Sequence, residues 1–351
     1  MTKKERVLRT IDFQETDHVP LYDFLDSNSI REYFGGETIT PENAWTLEYK
    51  AIRSFLDATR GIMIPTFTPY RTTDEDGFVT FHDIETSWIE KRPFDDLEGL
   101  VAFAKKDIER CTAWNPDATY IENYRRDIQT HRKGLGDDTV IIIESDVGLE
   151  DIRDKCGIEL FCYLEADYPE ILSEWLRVKN EKEVRRAKAI ADADIVPIML
   201  VYTDLAYKTG LIHPPAWLRK HFIPALKNLT NTYHDAGVKC LFHSDGNLWE
   251  ILDDLSEAGI DGINPIETCA GMSIVEVRKK YPKLFIAGGI DVSHLLTFGT
   301  ADEVHETCIQ AVRDTHGMGY LMGSTTELLP TVKVENLLAM IDVAKHSQTY
   351  A

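Results

Sequence analysis

The segment His243-Ser244-Asp245-Gly246-Asn247 sets an imidazole and a carboxylate two residues apart. If it ends a β-strand, both side chains point to one face. There they can share a metal ion or work as an acid–base pair tuned by proximity. Gly246 then lets the chain turn sharply. Structural roles are equally open: His243 satisfied by a neighbouring carbonyl, and Asp245 as the N-cap of the next helix. The same spacing recurs in Glu144 with Asp146 and in Tyr202 with Asp204. In Asn264-Pro265-Ile266-Glu267, Glu267 reads as a ligand, a base, or the partner of an Arg. Gly288-Gly289 precede Asp291 and permit close backbone approach to a ligand, or tight strand packing. Tyr207 and Lys208 follow Asp204 in a loop that faces substrate or solvent. Cys240 lies three residues before His243, faces the opposite way on an extended strand, and reads as core filler.

These residues need a scaffold that gathers them. Eight β-rich runs precede or contain them: VPLYDF (19–24), RGIMIP (60–65), TVIIIESD (139–146), DIVPIMLVYTD (194–204), VKCLFHSD (238–245), GIDGINPIE (259–267), LFIAGGID (284–291) and GYLMGSTTE (319–327). Most are continuous apolar runs, which suits parallel strands covered on both faces. The connections read as helices: Leu248 to Ala258 with Gly259 as its stop, Ser273 to Tyr281, a capping box at Thr300-x-x-Glu303, and Val334 to Ala344. This pattern predicts an α/β fold, a (β/α)8 TIM barrel spanning residues 1–351. A doubly wound open sheet is the alternative, but it wants a Gly-rich turn after its first strand, and VPLYDFLDSNS has none. About 100 residues exceed the usual barrel. They fall after strand two, where residues 66–93 predict a β-hairpin turning at Asp76-Gly77 and residues 94–138 predict one or two helices. This insertion, 66–138, is expected to overhang the mouth as a lid or wall.

Active sites of such barrels lie at the C-terminal ends of the strands. That rule collects Tyr22, Asp23, Thr66, Glu144, Asp146, Tyr202, Asp204, His243, Asp245, Glu267, Asp291 and Ser324 to Glu327. Composition bounds the partners. The 351 residues carry 38 Lys plus Arg against 59 Asp plus Glu, a net charge of −21. A chain this acidic argues against a nucleic-acid or anionic-membrane partner and against a polyanionic substrate. No apolar run approaches a membrane span, and MTKKERVLRTIDF has no signal-peptide pattern. The six cysteines form no CxxC pair, so a cytoplasmic protein with reduced thiols is expected.

With these residues in hand, the chain resembles the uroporphyrinogen decarboxylase superfamily over nearly its whole length. The carrying segments are KKERVLRTIDFQETDHVPLYDF, YTDLAYKTGLIHPP, FHSDGNLWEILDDLSEAGIDGINPIETCAGM, IAGGID and GSTTELLPTVKVENLLAM. That superfamily holds porphyrinogen decarboxylases, methylcobamide:coenzyme M methyltransferases and the methyltransferases of anaerobic O-demethylation. The decarboxylases carry an Arg-rich segment after the first strand to grip substrate carboxylates; here LYDFLDSNSIREYFGG has only Arg31. The coenzyme M enzymes hold zinc with a His-x-Cys pair and a later Cys; here His243 matches the His, Asp245 stands for the first Cys, and Ser324 falls about where the second would be.

The resemblance therefore implies a harder site. His243 and Asp245, with Glu267 or Glu327, would hold Zn2+ or another divalent ion, or would supply a proton. The leading reading is a corrinoid-dependent methyltransferase of the O-demethylating kind. It would move a methyl group from a small, aromatic methyl ether to a corrinoid (cobalamin) carried by a partner protein. His243, Asp245, Asp204 and Glu267 are the expected catalytic residues. Tyr202, Tyr207, Glu144, Asp146 and Asp291 are the expected substrate contacts, His243, Asp245 and Glu327 the expected metal ligands. The aromatics Phe67, Tyr70, Phe78 and Trp88 would cover the substrate ring. A homodimer is compatible with the resemblance. The competing readings are a decarboxylase or lyase on a tetrapyrrole or other small carboxylate, and a binding protein that kept the barrel without the chemistry.

Overall fold

Eight short parallel strands form the centre of the computed structural model, which describes residues 1–136 and 138–350. They are β1 (Tyr22–Asp23), β2 (Ala58–Arg60), β3 (Val140–Asp146), β4 (Ile198–Tyr202), β5 (Lys239–His243), β6 (Gly262–Asn264), β7 (Phe285–Ala287) and β8 (Tyr320–Leu321). Each pairs with the next in sequence order. The ring closes where Tyr22 N–H donates to the Met322 carbonyl (2.8 Å) and Met322 N–H to the Pro20 carbonyl (2.9 Å). This is the (β/α)8 barrel that the strand pattern predicts.

Two apolar layers hold it. Alternate residues Ala58, Val140, Ile142, Ile198, Leu200, Leu241, Phe285, Ala287 and Leu321 fill the interior, and Val7 and Ile11 of the first helix (Lys3–Ile11) join them. The other face of the strands packs on the helical ring, where Cys240, Phe242, Val201 and Ile286 are buried. The period of two thus decides which strand-end residues face the mouth. Continuing Ile198 and Leu200 inward gives Tyr202, and continuing Leu241 gives His243. Register sets Tyr202 beside His243, and His243 beside Asn264, in one row across three strands.

Two boundaries differ from expectation. The second strand occupies Ala58–Arg60, and residues 61–65 are loop. Ile62, Met63 and Ile64 read as a strand because they are apolar, but Gly61 has φ +67°, a left-handed conformation that ends the extended run. The helix after β5 is confined to Leu252–Glu257. The capping box forms as read, with Thr300 Oγ1 accepting from Glu303 N–H.

Between β2 and β3 the chain builds a three-stranded antiparallel sheet (Tyr70–Thr73, Val79–His82, Ser87–Lys91) and then helices Leu97–Ala113 and Ala118–Leu135. Asp76-Gly77 makes the first turn, with Gly77 at φ +90°. The sheet abuts the loops after β1 and β2 across a cleft lined by Asp26, Met63 to Thr66, Tyr70 and His82 to Ser87. The two helices pack into the outer ring, against Pro169–Ile190 and Ala44–Phe55 respectively. The KGLGDD stretch at the end of the insertion includes Asp137, which lies outside the described residues. Among the described residues, no helix is long and apolar enough to cross a membrane.

Asp107 pins the insertion. Its carboxylate is 0% exposed and accepts from Lys179 Nζ (2.9 Å), Trp175 Nε1 (2.8 Å) and Arg110 Nη2 (2.5 Å). Burial pushes its pKa up, but the Lys179 charge and the three donors outweigh that and hold it well below the usual carboxylate range. Asp107→Ala would leave Trp175 Nε1 unpaired and Lys179 with Asp151 (2.6 Å) as its remaining carboxylate, and should cost about 1–3 kcal/mol in urea unfolding at neutral pH. Because the folded-state pKa is depressed, this contribution is complete above the unfolded carboxylate pKa of about 4 and is lost as pH falls below it. The wild-type and variant curves should therefore converge in acid.

Candidate active site

His243 ends β5 beneath the mouth, 2% exposed. Its ring stacks on Tyr202 from β4, centroids 5.2 Å apart. Asn264 of β6 orients it: Asn264 Nδ2 donates to the Ala287 carbonyl (3.0 Å), so Asn264 Oδ1 is the atom that accepts from His243 Nδ1–H (2.7 Å). The lone pair is thereby left on Nε2. Arg60, at the end of β2, lies beside the same ring, with Nη1 3.2 Å from Nδ1 and 3.5 Å from Nε2, while its Nε donates to Glu144 Oε1 (3.0 Å). Burial and the adjacent Arg60 charge outweigh the Asn264 bond and the Asp204 charge, and bring the imidazole pKa down to about 4. His243 is a neutral ring at physiological pH.

Asp245 and Asp204 continue the inward rows past the strand ends. Asp204 is held at its backbone from both sides, N–H to Glu150 Oε2 (2.8 Å) and carbonyl from Arg153 Nη1 (2.8 Å). Its Oδ1 accepts from the Asp245 N–H (3.1 Å), and Tyr202 Oη is 3.4 Å from its Oδ2. Glu267 Oε2 accepts from the Gly246 N–H (2.6 Å). A side chain at Gly246, φ +88°, would strike the Ala206 carbonyl, so only glycine permits this turn. Burial, then the charges of Asp204 and Glu267, raise the Asp245 pKa to about 7, against the opposing pull of Arg60. Asp204, Asp245, Gly246, Glu267 and Tyr207 line one open cavity of about 500 Å³ with Glu150, Asp154, Arg153 and Lys208.

The other expected residues take different places. Tyr207 is 64% exposed at the rim. Glu144 pairs with Arg60. Asp146 turns to its own backbone, accepting from Gly148 N–H (2.8 Å) at the start of helix Leu149–Cys156. Asp291 accepts from Ser293 N–H (2.9 Å) and lies in the loop after β7. Glu327 is near Thr326 Oγ1 (3.3 Å), and its charge acts on Asp245 and Arg60. Ser324 donates to Asp23 Oδ1 (2.7 Å) across the β8–β1 seam. Of the insertion aromatics, Phe78 is buried against Phe94 and Phe103, and Phe67, Tyr70 and Trp88 do not line the 500 Å³ cavity. Arg60, Asn264, Glu150 and Arg153 are members of this cluster that sequence reasoning missed. Arg60 carried a signal: had the second strand been placed at 58–60, its parity would have sent Arg60 inward at the mouth.

Asp204, His243 and Asp245 bring ligand atoms within 4.8 Å of one another. Asp245 Oδ1 is buried without a hydrogen-bond partner, a state that costs about 1–3 kcal/mol unless a proton or cation meets it. Two carboxylates and a free imidazole nitrogen fit a hard divalent ion in type and number. A proton on Asp245 answers the same need, with Arg60 already beside the ring.

A family model described as Uroporphyrinogen decarboxylase (URO-D) matches residues 157–347, just over half the chain and the part that carries Asp204, His243, Asp245 and Glu267. No curated protein matches the chain. Among solved structures, a methyltransferase from Methanosarcina mazei superposes with a TM-score of 0.72 at 16% identity, covering 100% of both chains. A B12-independent methionine synthase from Shewanella sp. W3-18-1, in complex with selenomethionine, gives a TM-score of 0.49 at 12% identity over 95% of this chain and 100% of that one. The first likeness establishes the shared fold.

Two measurements probe the electrostatics. The raised Asp245 pKa means that the folded state resists ionisation there, so Asp245→Asn should stabilise the protein. The gain should grow as pH rises from about 4 to about 7 and level off above, reaching up to about 4 kcal/mol in urea unfolding. A gain independent of pH would contradict the assignment. Arg60→Gln removes the cation beside His243, and the imidazole midpoint followed by NMR should move up from about 4. An unmoved midpoint would leave burial as its sole cause.

Proposed function

The chain belongs to the uroporphyrinogen decarboxylase family, and from that premise we propose that it is a methyltransferase, moving a methyl group from a small methyl ether to a corrinoid carried by a partner protein. The observation that carries this reading is the charge of the cavity. Five carboxylates line it, Glu150, Asp154, Asp204, Asp245 and Glu267, against Arg153 and Lys208, and Arg153 is engaged by Glu150 (2.6 Å). A polycarboxylate such as a porphyrinogen would meet repulsion there. Arg31 cannot relieve it: it is 0% exposed and holds Glu48, Asn28 and the Leu25 carbonyl inside the fold.

An ether makes different demands. Its C–O bond breaks with the electron pair left on oxygen, and the alkoxide needs a proton. Asp245, with a pKa near 7 and a place on the cavity wall, supplies that proton at neutral pH. Asp204 holds the Asp245 backbone, Glu267 holds Gly246, Tyr202 stacks on His243, and Tyr207 lines the cavity. Neutral His243 offers Nε2 as an acceptor without adding a positive charge. An ion held by Asp204, His243 and Asp245 would supply Lewis-acid polarisation of the ether oxygen. The reduced corrinoid supplies the nucleophile that accepts the methyl cation. A corrin ring with its side chains is too large for a 500 Å³ cavity that also holds substrate, so the reading puts it on a docked partner above the mouth. The same acidic lining favours neutral donors over anionic aromatic acids.

The test is direct. Purified chain, a reduced corrinoid protein and a panel of neutral methyl ethers should convert the corrinoid absorption from the reduced to the methylated form. No conversion with any donor would refute the reading. Asp245→Asn should slow conversion by about 10²–10⁴-fold, and the wild-type rate should fall as pH rises past about 7, where Asp245 loses the proton it donates.

A further inference from the structure

We propose that Cys269, Asp291 and His294 form a zinc-binding centre on the rim of the barrel mouth, with three protein ligands and a fourth position open to solvent. The proposal does not depend on the methyl-transfer reading. Cys269 lies in the short turn Thr268–Ala270 after β6, and Asp291 and His294 lie in and just after the loop that follows β7. Their ligand atoms converge within 4.8 Å of one another.

The separations are those of a tetrahedron's edges. Cys269 Sγ is 3.6 Å from His294 Nδ1, and Asp291 Oδ2 is 3.3 Å from the same nitrogen. Zinc bonds of about 2.3 Å to sulfur and about 2.0–2.1 Å to nitrogen and oxygen, at tetrahedral angles, place S and N about 3.5 Å apart and N and O about 3.3 Å apart. A catalytic relay would look different. It needs the thiol on one ring nitrogen and the carboxylate on the other, whereas here both face Nδ1, which can carry one proton.

The ligands are also held as ligands are. Asp291 Oδ1 accepts from Ser293 N–H (2.9 Å) and His294 N–H (3.3 Å), which turns Oδ2 toward the ring. His294 is 66% exposed, so the open side faces water. A thiolate and a carboxylate balance the charge of a divalent ion, and the S/N/O set suits borderline-soft zinc. The second sulfur-containing group among the described residues lacks these properties. In His234, Cys240 and Asp261, the Asp261 oxygens are already taken by the Cys240 N–H (2.8 Å), His234 Nε2 (2.7 Å) and Lys239 Nζ (3.2 Å), and Cys240 is fully buried.

Cobalt(II) reports the centre without any activity assay, because a thiolate ligand adds a sulfur-to-cobalt charge-transfer band. Titrating the metal-free full chain should produce that band, saturating at one equivalent and abolished by added Zn2+. Cys269→Ser and His294→Ala should each lose it; His294 is exposed enough that its removal leaves the fold intact. Asp245→Asn should retain it, which separates this centre from the Asp204, His243 and Asp245 group. Absence of the band, its survival in Cys269→Ser, or cobalt uptake with a nitrogen–oxygen spectrum alone would each overturn the proposal.

Discussion

Negative charge is concentrated at one end of a low-dielectric barrel, and the rest of the site follows from how that charge is managed. Asp204, Asp245 and Glu267 reach the mouth from three successive strand ends, with Glu327 acting from β8 and Arg60 as the cation among them. These carboxylates are partly buried, so their repulsion is screened less than on the surface. The chain answers with backbone N–H groups: Asp204 takes that of Asp245, and Glu267 takes that of Gly246. Asp245 is left with an unpartnered oxygen, and its proton affinity rises. The group with the poorest hydrogen bonding is thus the one poised to exchange a proton near neutrality.

Arg60 and His243 divide the remaining task. Burial first, and then Arg60, which bonds Glu144 and lies beside the imidazole, keep His243 uncharged. Asn264, itself tied to the β7 backbone, decides which ring nitrogen carries the proton. Each member of this row stands on a different strand. The mouth chemistry therefore depends on strand register, and register depends on the packed interior below it, from Val7 and Ile11 at the closed end to Leu200 and Leu241 under the site. A slip of one residue would turn His243 toward the helical ring and Phe242 toward the cavity.

The rim carries a second kind of side-chain cluster. Cys269, Asp291 and His294 are partly exposed, and sulfur is present among them. The inner group has its histidine buried and is built from oxygen and nitrogen alone. Soft and hard donors are thus kept apart at one barrel mouth, on neighbouring loops, as the preferences of metal ions for ligand type would require.

The barrel was legible from the chain because strands buried on both faces leave continuous apolar runs, and eight such runs alternate with amphipathic helices. The same logic exposed Tyr202, Asp204, His243, Asp245 and Glu267, since their places at strand ends follow from sequence position and a period of two. Arg60 was hidden by an apolar loop that imitates a strand until Gly61 turns it. Asn264 was hidden because a neutral amide shows no chemistry until its partners are known. Proton affinities and the meeting of Cys269 with residues beyond β7 arise only between segments distant in sequence. Local pattern determines which side chains reach a strand's end; closure of the ring decides which of them meet, because burial, charge and hydrogen bonding are properties of neighbours in space.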